Sequence, residues 1–264
     1  MTGGAMLQIS PILAFDDNYI WLLRNPDNDM AVVVDPGDEA PVLEKLKQDG
    51  LTLAGMLITH KHGDHTGGLA GLKAAWPGIP VYGPASEPIN GVTVKVKEGD
   101  RVSIPALDSE FRVIDVPGHT EGHVAYYGEG ALFCGDTLFA GGCGRVFSGT
   151  YEQLHDSLRR IAALPPDTQV YCAHEYTRAN IGFARWVEPD SDAIKQREEV
   201  VGQMCSRGEP TVPSTLQMEL DTNPFMRTDV PAVKAAAERY TGKPLIHGAE
   251  IFTAVRCWKD REYD

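Results

Sequence analysis

The sequence predicts an α/β protein in which two β-sheets lie against each other with helices outside, followed by a small helical region. Through the first 135 residues, short apolar segments alternate with turns rich in Gly, Pro, Asn and Asp, which is typical of β-strands. Many of these segments are apolar on both sides, so both faces of each sheet must be buried against other parts of the protein. After about residue 180 the pattern becomes helical. We therefore expect two domains, residues 1–180 and 181–264.

The elements of the first domain follow from the apolar runs and the turn residues between them. Apolar side chains at Val42, Leu43 and Leu46 have the spacing of one helix face. The expected set is strands at 7–13, 19–24 and 31–35, a helix at 40–48, a strand at 53–58, a helix at 69–75, and short strands near 81, 93–96, 101–104, 111–116, 124–127 and 131–133.

The second domain is expected to contain helices at 192–207, 230–240 and 250–261, with Pro231 in a first helical turn. No apolar run approaches the roughly 20 residues that cross a bilayer, so we expect no membrane partner. The first five residues carry no pattern, and Met6 is the expected effective start.

Composition and charge narrow the classes of function that this protein can have. The net charge is −13 and the pI about 5.0, which argues against nucleic-acid binding because that depends on clustered Lys and Arg. Five cysteines without a CxxC pair argue against a disulfide framework, and Cys134 and Cys172 are expected to be small apolar strand residues. We expect a cytoplasmic monomer, since free thiols persist in a reducing compartment.

The segment THKHGDH at residues 59–65 is the most informative stretch, because it holds three imidazoles and a carboxylate. It follows an apolar strand, so His60 and His62 can point the same way in extended chain and share one ion. The chain then turns, and Asp64 and His65 face differently. Those two side chains are therefore candidates for a second ion.

Three further donors follow apolar, strand-like runs: His119, Asp136 and His174. Strand ends are where α/β sheets gather functional groups. Seven donors exceed what one catalytic zinc ion needs, so two ions fit the count. A carboxylate can bridge a metal pair, which makes Asp136 the expected link. Imidazole and carboxylate together suit zinc, iron or manganese, with zinc expected first.

The remaining histidines are not expected to bind metal directly. His123 is expected to hydrogen-bond behind the ligands rather than to bind metal directly. His155 and His247 stand alone in the sequence, and no functional role is assigned to them.

The motifs THKHGDHTGG, VPGHTEGH, FCGDTLFAGGCGR, YCAHEYT, NPFMR and AVRCWKDR, taken together and in this order, resemble the metallo-β-lactamase superfamily and within it the glyoxalase II (hydroxyacylglutathione hydrolase) family. The resemblance spans nearly the whole chain. It implies an αββα sandwich that forms the catalytic domain and a small α-helical domain that binds substrate.

The resemblance also implies roles for individual residues. The first metal ion would be held by His60, His62 and His119, the second by Asp64, His65 and His174, with Asp136 between them. The glutathione part of the substrate would be recognised by Arg145, Phe147, Tyr176, Arg256 and Lys259. Some family members carry tyrosine where this chain has Phe147, so one hydroxyl contact would be missing.

The implied reaction is hydrolysis of S-lactoylglutathione, or a related S-(2-hydroxyacyl)glutathione, to glutathione and a 2-hydroxy acid such as D-lactate. This is the second step of methylglyoxal detoxification. Two cations lower the pKa of bound water towards roughly 7, so a metal-bound hydroxide, oriented by Asp64 and Asp136, can attack without a serine or cysteine nucleophile. The leaving thiol, with an ordinary pKa of roughly 8.5, departs without a strong acid.

Two other functions remain open from the residues. An iron-dependent oxygenase acting on glutathione persulfide would keep much of the ligand set around one metal, although the long helical C-terminal region argues against it. A non-catalytic glutathione or metal-binding module would take up metal without turnover. A β-lactam hydrolase is disfavoured, because its usual cysteine ligand would fall where Asp136 stands.

Overall fold

The computed structural model describes residues 7–263. The proposed start at Met6 and the preceding five residues lie outside this range. The described residues form two compact units: the first unit comprises residues 7–115 and 122–135, and the second comprises residues 116–121 and 136–263. The division of the chain at residue 180 remains a prediction.

The first unit has alternating strands and helices. In chain order these are β1 (Gln8–Ala14), β2 (Asn18–Arg24), β3 (Met30–Val34), α1 (Glu39–Asp49), β4 (Thr52–Leu57), α2 (Gly63–Thr66), α3 (Leu69–Ala75), β5 (Val81–Pro84), β6 (Val94–Val96), β7 (Arg101–Ile104), β8 (Ser109–Asp115), β9 (Val124–Gly128) and β10 (Ala131–Gly135). Each strand and helix predicted from the sequence before residue 135 is present, with ends shifted by a few residues at most.

Strands β1 to β6 form one sheet in sequence order. The pairs β1–β2 and β2–β3 are antiparallel, whereas β3–β4, β4–β5 and β5–β6 are parallel. Parallel neighbours need a long crossover, which α1 supplies between β3 and β4 and which α2 and α3 supply between β4 and β5. Strands β7 to β10 form an antiparallel meander.

The central strands of the β1–β6 sheet are buried on both faces, as predicted. One face packs Leu22 and Val33 against Leu46 of α1 and Leu72 of α3 in a single apolar cluster. The opposite face, which includes Trp21, is equally buried. Each large apolar side chain buried in this way contributes about 1.5–3 kcal/mol to folding.

The second unit is mostly helical. Its elements are β11 (Leu138–Phe139), β12 (Gly142–Cys143), α4 (Tyr151–Ala162), β13 (Gln169–Cys172), α5 (Thr177–Val187), α6 (Asp192–Ser206), β14 (Ser214–Thr215), α7 (Leu216–Thr222), α8 (Pro231–Thr241) and α9 (Gly248–Trp258), followed by a π-helical turn at Lys259–Tyr263. Within residues 7–263, none of the helices combines the length and apolar character needed to span a membrane.

One helix of this unit was not predicted, and the end of another needs correction. Helix α5 was absent from the predicted set; its N-cap residue Tyr176 makes no side-chain capping hydrogen bond and so gives no start signal in the sequence. The helix expected at 250–261 ends at Trp258, and a wider π-turn follows. Arg256 lies in the last turn of α9, and Lys259 is the first residue of the π-turn.

A buried carboxylate organises the second unit. Glu219 on α7 accepts hydrogen bonds from the Gly141 amide (2.8 Å), Ser214 Oγ (2.7 Å) and Asn223 Nδ2 (3.0 Å), and it is paired with Arg197 of α6. It is fully buried. Because it ties α6 and α7 to the hairpin β11–β12, it fixes the loop that leads from Asp136 to Arg145.

The five cysteines are free thiols. Cys134 and Cys172 are buried in strands, as expected for small apolar residues. Burial raises the pKa of Cys172 to about 12 and that of Cys143 to about 11, so both stay protonated at neutral pH. Neither is therefore suited to act as a nucleophile, because the thiolate is the reactive form.

Candidate metal centre

The seven predicted metal donors occur in both units. The first donor set, in the first unit, consists of His60, His62, Asp64 and His65. The second donor set, in the second unit, consists of His119, Asp136 and His174.

The backbone after β4 orients the first two histidines. The chain remains extended up to His62, which has φ −63° and ψ 148° and precedes the first turn of α2. His60 Nε2 and His62 Nδ1 lie 3.0 Å apart, which confirms that the two side chains point to one place. The alternation of an extended strand end produces this convergence directly from sequence.

Asp35 lies behind the first donor set. Its carboxylate accepts hydrogen bonds from the Thr59 amide (2.8 Å) and hydroxyl (2.7 Å) and contacts His65 Nδ1 at 3.0 Å. Because the Thr59 hydroxyl proton is used by Asp35, the Thr59 oxygen accepts from His60 Nδ1, 3.0 Å away. A neutral imidazole at either position therefore carries its proton on Nδ1 and keeps the Nε2 lone pair, which is the form that binds metal.

Sequence reasoning missed Asp35, although a signal was present. Asp35 follows the apolar strand β3, as Asp136 follows β10, so it occupied the same kind of strand-end position. Its φ of +51° is uncommon for a residue other than glycine. Such backbone strain tends to occur at functional sites.

Asn18 was also missed, because nothing in a lone asparagine indicates its partner. Asn18 Nδ2 donates to Asp64 Oδ2 (3.1 Å), and Asp64 Oδ2 lies 3.3 Å from His65 Nε2. The Asn18 side chain is buried, whereas that of Asp64 is 41% exposed. The amide therefore holds an accessible carboxylate beside the imidazole.

The second donor set is arranged around Asp136. Asp136 Oδ1 lies 3.4 Å from His174 Nε2, and Oδ2 lies 3.5 Å from His119 Nε2. His119 Nδ1 donates to the Arg145 carbonyl oxygen (2.8 Å), which again leaves Nε2 towards the carboxylate. Each oxygen of Asp136 thus faces one imidazole.

Gly144 permits this close approach. A Cβ at residue 144 would lie 2.0 Å from the Asp136 carbonyl oxygen and 2.9 Å from His119 Nδ1. Only glycine fits at such distances, so the glycines after β11 bring backbone close to the donors.

The chemistry of both donor sets fits divalent metal ions. Imidazole nitrogens and carboxylate oxygens are ligands for zinc, iron and manganese, and ligating histidines commonly donate their other N–H to a carboxylate or carbonyl. Within the first unit, Asp35, His60 and His65 offer ligand atoms within 4.8 Å of one another.

The predicted substrate residues differ in accessibility. Arg145 (57%, side chain), Phe147 (66%) and Tyr176 (37%) are exposed, whereas Arg256 (1%) and Lys259 (6%) are buried. The Phe147 ring lies 5.2 Å from the His119 ring, and the Tyr176 ring stacks on His174 at 4.9 Å. These three exposed residues therefore adjoin the second donor set.

Arg256 has a structural role in this conformation. Its Nη1 donates to the Cys143 carbonyl oxygen (2.9 Å), its Nη2 donates to Asp260 (2.8 Å), and the guanidinium lies over the Phe225 ring. Arg256 thus anchors the β11–β12 hairpin. Its assignment as a glutathione contact remains a prediction.

Two histidines outside the donor sets, His123 and His155, have supporting or packing roles. The His123 ring stacks on His60 at 4.5 Å and its Nδ1 contacts the Val124 carbonyl oxygen, as expected for a supporting residue. Burial lowers the pKa of His155, whose Nε2 contacts the Thr228 hydroxyl. His155 is therefore a neutral packing residue between helices.

Replacing Asp35 with Asn is expected to weaken metal affinity by about 10–100-fold, the usual cost of losing an orienting partner behind a ligand. The amide would remove the charge that fixes the His65 tautomer. Zinc competition with a chromophoric chelator measures this affinity directly. Asp49→Asn, which alters an exposed ion pair on α1, should leave the affinity unchanged; equal affinities in both variants would contradict the role of Asp35.

Comparisons with known proteins agree with this arrangement. A family profile described as Metallo-beta-lactamase superfamily matches residues 14–174, and one described as Hydroxyacylglutathione hydrolase C-terminus matches residues 175–262. Hydroxyacylglutathione hydrolases from Pseudomonas fluorescens (strain SBW25) and Alkalilimnicola ehrlichii (strain ATCC BAA-1101 / DSM 17681 / MLHE-1) are 51% and 52% identical over 257 and 256 residues, which is 97% of this chain and 100% of each relative.

Solved structures share the fold. A metallo-beta-lactamase from Staphylococcus aureus subsp. aureus COL has a TM-score of 0.62 at 18% identity, covering 98% of this chain and 74% of that chain. The protein TTHA1623 in a di-iron-bound form has a TM-score of 0.58 at 27% identity, covering 82% and 99%. These matches confirm the predicted αββα architecture with an added helical C-terminal region. The chain belongs to the hydroxyacylglutathione hydrolase family of the metallo-β-lactamase superfamily.

Proposed function

We propose that the chain hydrolyses the thioester of S-(2-hydroxyacyl)glutathione, with S-lactoylglutathione as the principal substrate, to glutathione and a 2-hydroxy acid such as D-lactate. This would be the second step of methylglyoxal detoxification. The proposal rests mainly on sequence similarity. Two relatives named hydroxyacylglutathione hydrolase are 51% and 52% identical to this chain, and each match covers 97% of it. The presence of all seven predicted donors, in two organised sets, supports the same reaction.

Two divalent ions, with zinc proposed first, would be held by both donor sets together. His60, His62 and His119 would hold one ion, Asp64, His65 and His174 the other, and Asp136 both. The contacts of His60, His65 and His119 support this assignment, since a proton on Nδ1 leaves the Nε2 lone pair for metal binding. The di-iron-bound form of TTHA1623 supports a pair of ions in this fold. When bound, such a pair supplies Lewis acidity that lowers the pKa of water towards roughly 7 and polarises an acyl oxygen.

The protein side chains hold and orient the reacting groups. Asp64 is an accessible carboxylate fixed by Asn18, so we assign it the proton that the attacking water loses. Asp136, buried between two imidazoles, has the role of fixing His119 and His174. The buried, protonated thiols of Cys143 and Cys172 are not needed for attack.

The substrate tail would bind beside the second donor set. Glutathione carries carboxylates, and the net charge of −13 makes local cations important for attracting them. The exposed residues beside that donor set are Arg145, Phe147 and Tyr176. Positive charge is also supplied by two buried residues, Arg256 and Lys259. We also propose that the protein works as a monomer and in the cytoplasm; the five free thiols support a reducing compartment.

Purified, metal-analysed protein should hydrolyse S-lactoylglutathione, followed as loss of thioester absorbance, and a chelator should abolish the activity until zinc is restored. The alternatives give different results. Oxygen consumption with glutathione persulfide, and an intact thioester, would identify an oxygenase instead. Metal uptake with neither reaction would identify a binding module.

A further inference from the structure

The turn between β1 and β2 presents large apolar side chains to solvent. Leu13 is 66% exposed and Phe15 is 59% exposed. Among the residues that the structure describes in the first unit, the other exposed large apolar side chain is Val94 on β6, at the opposite edge of the same sheet. The exposed apolar surface of this unit is therefore concentrated at the β1–β2 turn.

This turn lies at the sheet edge that carries the first donor set. Strand β2 runs antiparallel to β3, and Trp21 pairs with Val34, so the start of β2 lies beside the end of β3. Val34 also pairs with Leu57 of β4, the strand that leads into His60. The β1–β2 turn and the donors after β4 thus extend from the same edge of the sheet.

Two contacts join the turn to Asp64. Asn18, which pairs with Ala14 across the hairpin, donates to Asp64 Oδ2 (3.1 Å). A Cβ at residue 37 would lie 1.8 Å from the Asp64 carbonyl oxygen and 3.0 Å from Phe15 Cε2. Because Gly37 has no side chain, the edge of the Phe15 ring and the Asp64 backbone come together over it.

Phe15 has a backbone conformation that is unfavourable for its side chain. Its φ of +51° lies in the left-handed region, which glycine adopts freely and a bulky residue rarely adopts. Glycine would therefore suit the turn better if the residue served folding alone. Because strained residues tend to occur at functional sites, the exposed ring indicates a role in binding.

The charge of the turn suits the acyl end of the substrate rather than the glutathione tail. Asp16 and Asp17 follow Phe15, and their carboxylates repel the carboxylates of the tail. The acyl group is uncharged. Its carbonyl carbon must lie near Asp64, which is proposed to take the proton of the attacking water. The side group carried by that acyl chain would therefore meet the Phe15 ring.

We propose that Phe15 is a specificity-determining residue whose ring packs against the side group of the 2-hydroxyacyl chain, with Leu13 extending the same apolar surface. This assignment rests on the proposed function and names the acyl groups that the site prefers. A large apolar side group gains more contact with the ring than a small one, and an aromatic side group gains the most.

The test varies the acyl group and keeps glutathione constant. The thioesters S-glycoloylglutathione, S-lactoylglutathione and S-mandeloylglutathione carry hydrogen, methyl and phenyl as side groups. For Phe15→Gly we expect kcat/KM to fall about 10-fold for the mandeloyl thioester and to stay within about twofold for the glycoloyl thioester, because apolar contacts discriminate by about this factor. Phe15→Leu keeps an apolar side chain and should lose only part of the preference. Val94→Ala truncates an exposed apolar side chain far from the turn and should change none of the three values.

Thermal unfolding separates a role in binding from a role in folding. Because glycine suits a φ of +51° and alanine does not, Phe15→Gly should unfold at a temperature no lower than Phe15→Ala, while both lose the same acyl preference and keep the metal content of the wild type. An equal fall in kcat/KM for all three thioesters, or a preference that survives removal of the ring, would overturn the assignment. A wild-type protein that hydrolyses none of the three thioesters would overturn the proposed function first, and the assignment with it.

Discussion

Replacing Asp136 with Asn is expected to strip metal from the protein and to lower kcat for S-lactoylglutathione by more than about 100-fold, because loss of a residue behind a ligand already costs up to about 100-fold and Asp136 is the proposed ligand of both ions. Asp136 presents one oxygen to His174 and the other to His119, and it is buried. Asparagine keeps the shape, but it has no charge and presents an N–H donor where a second acceptor is needed. Asparagine is therefore unsuited to the proposed role of Asp136 as a shared ligand of two cations.

Metal content after dialysis, determined by elemental analysis alongside kcat, checks this expectation. Asp156→Asn is the matched control, because Asp156 is a highly exposed carboxylate on α4 that also contacts a histidine. It should keep the metal content and activity of the unmodified protein. A fully metallated, fully active Asp136→Asn protein would refute the central place given to this carboxylate.

Replacing Glu219 with Ala is expected to reduce the free energy of unfolding by about 3–5 kcal/mol, the range for breaking a buried ion pair by removing one partner. Arg197 is itself buried, so its charge would lose compensation. Ser214, Asn223 and the Gly141 amide would also lose their acceptor. Loss of these contacts should loosen the hairpin β11–β12, so residual folded protein should also turn over more slowly.

Urea unfolding, followed by circular dichroism and tryptophan fluorescence, measures this change as a shift of the transition midpoint. Glu209→Ala is the control, since Glu209 pairs with Arg207 on the surface of the same unit. Its midpoint should coincide with that of the unmodified protein. Coincident midpoints for all three proteins would show that Glu219 does not organise the second unit.

Patterns of residues close together in the chain were enough to predict the strands of the first unit with helices α1 and α3, and to propose the seven donor positions. Apolar periodicity is a local property, so β4 and α3 could be predicted from their own residues. The convergence of His60 and His62 was equally local, because it follows from the alternation of an extended chain. The family was predictable for the same reason, since its motifs are short, ordered segments.

The residues that support those donors could not be predicted, because their contacts join segments that are distant in the chain. Asp35 meets His65 and Asn18 meets Asp64 across 30 and 46 residues of chain. Sheet pairing and crossover helices create these contacts, and no local period encodes them. Burial of Arg256 and the contact between the His155 and Phe252 rings depend in the same way on how distant segments pack in the second unit. Side-chain partners distant in sequence are fixed by packing, whereas strands, helices and strand-end donors are fixed by neighbours in the chain.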